Sequence, residues 1–110
     1  MSHVSTDELL DQLRREERHY GEVLSEESMS VELARYPNPE PKTPHKEDQL
    51  YYIISGSGTA SVGAETFTIE EGDVVYVEKG VQHDFYDIDD EMVALIVFAG
   101  SEESVLGRDV

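Results

Sequence analysis

Cysteine is absent from the 110 residues. That excludes disulfides, thiolate metal sites and a cysteine nucleophile, and gives no sign of an oxidising compartment. Bases are scarce. Eight Lys plus Arg, only three of them lysines, face 25 Asp plus Glu, for a net charge of −17. Such a field repels phosphate backbones, so no nucleic-acid partner is expected. No apolar run approaches the ~20 residues that cross a bilayer, so no membrane partner is expected either. The start, "MSHVSTDELLDQ", has no basic n-region and no apolar h-region. It is not expected to be a signal peptide, and a cytoplasmic protein is expected. Proline is confined to "PNPEPKTP", four in eight residues, which excludes regular helix or a central strand there.

The acids that are present are spread along the whole chain between apolar segments, unlike a disordered acidic tail. This is the pattern of a surface that stays hydrated in concentrated salt, where self-repulsion is screened, and a halophilic host is expected. The length suits one domain with one core. A domain this small buries its own surface only marginally, which favours pairing with a second copy.

Residues 5–19 carry a helix pattern. Ser5 and Glu8 have capping-box spacing, Asp7 and Glu8 suit the first turn, and Arg14, Arg15 and Arg18 suit the C-terminal end. Leu9, Leu10 and Leu13 form a narrow apolar stripe that Tyr20 extends, so this helix is expected to lie on something else. From Met29 the period changes to that of strands. "MSVELARY", "QLYYII", "TASV", "ETFTI", "VVYV", "VQHDFYDI" and "MVALIVFAG" are separated by turn signals: "SGSG", "GA", "EEGD", "EKG" and "DDE". Short strands at roughly ten-residue spacing predict an all-β sandwich or barrel. "MVALIVFA" is apolar at both parities, so both of its faces should be covered, by core on one side and by the helix or a second subunit on the other. The expected division is a helical segment at 1–28, a β-domain at 29–100 and a tail at 101–110.

The chemistry-bearing residues recur at fixed intervals. Three residues separate His45 from Gln49, and six separate Gln49 from Gly56. Seven separate Gly72 from Gly80, two separate Gly80 from His83, and three separate His83 from Asp87. Fifteen lie between Gly56 and Gly72. In these intervals the sequence resembles the cupin superfamily, over residues 43–87 by motif and 31–99 by strand pattern. The family's first motif runs His-x-His, Glu, Gly; its second runs Gly, Pro-x-Gly, His, Asn. Here Thr43 stands at the first histidine position, Gln49 at the glutamate, Glu78 at the proline and Asp87 at the asparagine, while His45 and His83 are kept.

The resemblance implies a cupin jelly-roll β-barrel with a short N-terminal α-helix. It also implies one divalent transition metal (Fe, Mn, Ni, Zn or Cu) held by His45, Gln49 and His83, with Thr43, Tyr51 and Phe85 lining the pocket, and a homodimer. Strand parity agrees in part: Gln49, Tyr51 and Ile53 share one face, and His83, Phe85 and Asp87 share another. Imidazole nitrogens suit iron, nickel, copper or zinc, but an amide brings no negative charge and should weaken the site relative to glutamate. Glu47 is the alternative oxygen ligand. Glu47 and Asp48 otherwise fit as solvated turn charges, and the glycines as turn residues. Beside a protein whose main role is its dimer surface, with only a residual pocket, two functions stay open. One is a metal-dependent dioxygenase, isomerase or lyase acting on a small polar molecule. The other is a non-catalytic, metal-free module that binds or senses a small ligand.

Overall fold

A computed structural model describes residues 3–38 and 46–99. One helix, α1 (Thr6–Arg15), precedes six strands: β1 (Tyr20–Ser25), β2 (Met29–Tyr36), β3 (Asp48–Val62), β4 (Glu65–Glu70), β5 (Val74–Val77) and β6 (His83–Ala99). All pairings are antiparallel. The sheet order is β1-β2-β6-β3-β4, with β5 also paired to β3. This is the expected all-β jelly-roll with one short helix. Among the described residues the sheet curls without closing into a barrel.

The helix starts where expected. The Ser5 hydroxyl accepts from the Glu8 N–H at 3.3 Å, and Asp7 and Glu8 sit in the first turn. It ends sooner than expected, because Glu17 adopts φ +56° and turns the chain away. Tyr20 therefore opens a strand instead of extending the apolar stripe. The segment expected to be helical contains β1, whose alternation in "YGEVLS" pairs it with β2. Leu13 is fully buried against Leu33 and Val93, with Leu9, Leu10, Val23, Ile54 and Leu95 around them. It fits because position 21 is glycine: a Cβ there would stand 3.0 Å from the Leu13 side chain. Ion pairs fasten the helix end to the sheet. Glu91 accepts from Arg14 and from Arg35 Nε (2.8 Å), and Arg35 also donates to the Arg18 carbonyl at 2.9 Å. Burial alone would raise the Glu91 carboxyl, but the two guanidinium hydrogen bonds outweigh it and hold it below its ordinary value.

Two expected turns are not turns. "SGSG" lies inside β3, and "DDE" lies inside β6. The two long strands pair along their whole length and bend together, with register shifts around Ser55 and Ser57 and with Ser57 opposite Asp89. Gly56 (φ +86°), Asp87 (φ +52°) and Asp90 (φ +64°) absorb the bend. Gly56 has no substitute: a Cβ there would collide with the Glu91 carbonyl oxygen and approach Met92 Cα to 2.7 Å. Gly56→Ala is therefore expected to cost upward of about 2 kcal/mol, read as a fall in the urea midpoint at unchanged slope.

The main core lies on the inner face. Ala34 and Tyr36 of β2, Tyr51 and Ile53 of β3, Val75 and Val77 of β5, and Phe85, Met92, Ala94, Ile96 and Phe98 of β6 pack together. β6 is buried on both faces as its composition predicts, with Val93 and Leu95 beneath α1.

Candidate functional site

Gln49 and His83 are the only buried polar or charged side chains apart from tyrosine among the described residues, 1% and 4% exposed. Each is placed by β3 and its neighbours. Gln49 and Tyr51 share the inner face, opposite Val77 and Val75 of β5 and opposite Phe98 and Ile96 of β6. His83 starts β6 directly after the turn that follows β5. The Asp48 carboxylate accepts from the Lys79 N–H at 2.9 Å, tying that turn to the first residue of β3. Asp48, expected to be a free turn charge, thus helps bring His83 to Gln49.

The Tyr51 hydroxyl joins the two. It donates to Gln49 Oε1 at 2.6 Å, and its oxygen lies 3.1 Å from His83 Nε2. His83 Nδ1 lies 3.0 Å from the Val81 carbonyl oxygen. A carbonyl only accepts, so Nδ1 carries a proton and Nε2 is the nitrogen turned to the phenol. The ring of Tyr51 is edge-on to Phe85, centroids 4.8 Å apart, and Phe85 leans on Tyr36 at 5.2 Å. Burial first, and then the charge of Glu32, push the Tyr51 phenol far above its ordinary value, so it remains a protonated donor.

Gln49, Tyr51, His83 and Phe85 thus meet. Asp87 does not join them, since its positive φ turns it out to solvent. His45 and Thr43 lie outside the described residues. One residue was missed. Glu32 is half-buried with the inner-face parity of Ala34 and Tyr36, which "VELARY" already displayed. Burial, then Glu22 directly opposite in β1, then Glu47, raise its carboxyl above the ordinary range.

The described members of this cluster, Gln49, Tyr51 and His83, do not by themselves fit a tightly held divalent ion. Among the described residues no group of three His, Cys, Asp or Glu side chains is placed to hold a metal. The meeting point offers one imidazole nitrogen and one amide oxygen, both facing a protonated phenol, and no carboxylate. Charge-bearing oxygen ligands are what usually accompany imidazole in such sites.

An antiparallel jelly-roll with a polar cluster on its inner face defines a known class of protein. Residues 32–99 match the Cupin domain family, and the chain belongs to it. An uncharacterized protein of Streptomyces coelicolor is 35% identical over 98 residues, covering 87% of this chain and 93% of that one. An RmlC-like cupin family protein with a double-stranded β-helix fold from Methanocaldococcus jannaschii superposes with a TM-score of 0.69 at 20% identity, covering 83% of this chain and 84% of that one. The DMSP lyase DddQ of Ruegeria pomeroyi superposes with a TM-score of 0.66 at 20% identity, covering 74% and 46%. At such identities the likeness carries the fold and leaves the chemistry to the site.

Proposed function

We propose that this cupin is a non-catalytic module that binds a small polar molecule through the Gln49–Tyr51–His83 cluster. The observation that carries this reading is the cluster itself. It places two buried polar side chains on one phenol in a face otherwise built of Ile, Val, Ala, Met, Phe and Tyr36, with Glu32 half-buried on it. Polar groups in such surroundings cost free energy that apolar residues would not, and small-molecule sites are typically apolar with a few placed polar groups. The net charge of −17 and the half-buried Glu32 disfavour anions as ligands. Neutral or cationic polar molecules fit best.

The test is side-chain amide NMR with a panel of small sugars, amines and carboxylic acids. One of the first two classes is expected to shift the Gln49 amide saturably, with the effect lost in His83→Leu. If no class moves it, the reading fails. A reaction centred on a metal at His45, Gln49 and His83 is the competing reading, and the amide at position 49 counts against it.

We further propose a homodimer. Leu50, Tyr52, Val74 and Tyr76 stand 40–58% exposed on the outer face, Leu50 opposite Tyr76 and Tyr52 opposite Val74. They continue the surface on which Ile54 and Leu95 pack under α1, but the helix does not reach them. A two-fold pair would cover this patch with itself.

A further inference from the structure

We propose that the Tyr51 hydroxyl takes the place of a metal ion between Gln49 and His83, making this site a hydrogen-bond relay that holds no divalent ion tightly. The inference deepens the binding reading above. A metal on these residues would need Gln49 Oε1 and His83 Nε2 each at about 2.0–2.2 Å. Both atoms already face one oxygen, at 2.6 Å and 3.1 Å. An ion would have to break those contacts and displace a phenol that is 2% exposed and packed edge-on against Phe85. Among the described residues no carboxylate completes a three-ligand group there: Glu32 on β2 acts on Tyr51 through its charge, and Asp87 is exposed.

The amide is matched to this arrangement. A glutamine side chain has two ends. With its carbonyl toward the phenol it takes the Tyr51 proton. Turned over, its NH2 group donates to the phenol oxygen and releases that proton to Nε2. With the imidazole proton on Nδ1, Nε2 accepts, so only the second arrangement makes every contact from Val81 through His83 and Tyr51 to Gln49 a hydrogen bond. The first leaves Nε2 facing the phenol oxygen with no proton between them. An ionised glutamate only accepts, so it supports one arrangement and adds the charge that draws a metal. Position 49 therefore suits a tyrosine partner better than it suits an ion.

Zinc titration by calorimetry, followed by 15N NMR of the His83 ring, tests this on the full chain. Wild type is expected to match His83→Ala, showing only the weak background of its surface acids, and added Zn2+ should leave the His83 ring nitrogens unmoved. Gln49→Glu should bind one Zn2+ per chain at least about tenfold more tightly than wild type, with the gain lost in Gln49→Glu/His83→Ala. Stoichiometric zinc on wild type that moves His83 Nε2 and disappears in His83→Ala overturns the inference. So does a folded Gln49→Glu that binds no more tightly than wild type. If Gln49→Glu does not fold, the wild-type ring nitrogens decide alone. The titration reads the ion and the amide panel reads the ligand, so either proposal fails without the other.

Discussion

Tyr51→Phe should lower the melting temperature by about 10 °C or more while leaving far-UV circular dichroism unchanged. The substitution keeps the ring, and with it the edge-on contact to Phe85, and removes one oxygen. That oxygen is the donor to Gln49 Oε1 and the atom faced by His83 Nε2. Taking a partner from a buried polar group costs about 1–3 kcal/mol. With two such groups affected, the loss is about 2–4 kcal/mol. In a domain of roughly 100 residues each kcal/mol moves the midpoint by about 4–8 °C. The cost belongs to the network, so it should shrink when the network is already gone. In a Gln49→Leu/His83→Leu background the same Tyr51→Phe change is expected to cost less than about 1 kcal/mol. Equal costs in both backgrounds would mean that the hydroxyl is not the junction described here.

The spacing around Gln49 and His83 made much of this site legible. Parity alone put Gln49, Tyr51 and Ile53 on one face, and all three are buried together. Motif intervals put His83 beside them across the intervening strands β4 and β5. The direction of a hydroxyl was not legible, because it depends on how Tyr51 seats against Phe85 and on where the turn fixed by Asp48 and Lys79 delivers His83. Glu32 was legible in principle. Its parity matches Ala34 and Tyr36, yet a charged residue in a half-buried strand is ordinarily assigned to solvent. The two misplaced turns have a different cause. Glycine-serine and acidic clusters permit positive φ in a tight turn and in a bulge alike. Only the pairing of Ser57 with Asp89, far apart in sequence, selects the bulge. β1 failed for a similar reason: "YGEVLS" is too short to announce itself without β2 beside it.

Salt should control association. Each chain carries −17, so two copies meet against strong repulsion. The patch of Leu50, Tyr52, Val74 and Tyr76 carries no charge and gains from being covered. Which term prevails depends on screening. The Debye length is about 10 Å at 0.1 M and about 3 Å at 1 M, so molar salt removes most repulsion while strengthening apolar burial rather than opposing it. Sedimentation velocity is therefore expected to show monomer at low ionic strength and dimer in molar KCl. Tyr76→Glu combined with Val74→Asp would place four carboxylates in a two-fold interface. Burying unpaired charge costs several kcal/mol, so the dimer should weaken by at least about a hundredfold at every salt concentration. Melting of the monomer should change little, since both positions are more than half exposed. A double variant that sediments like wild type in molar KCl would place the contact elsewhere. Wild type that stays monomeric there would leave this apolar surface without a second copy to cover it.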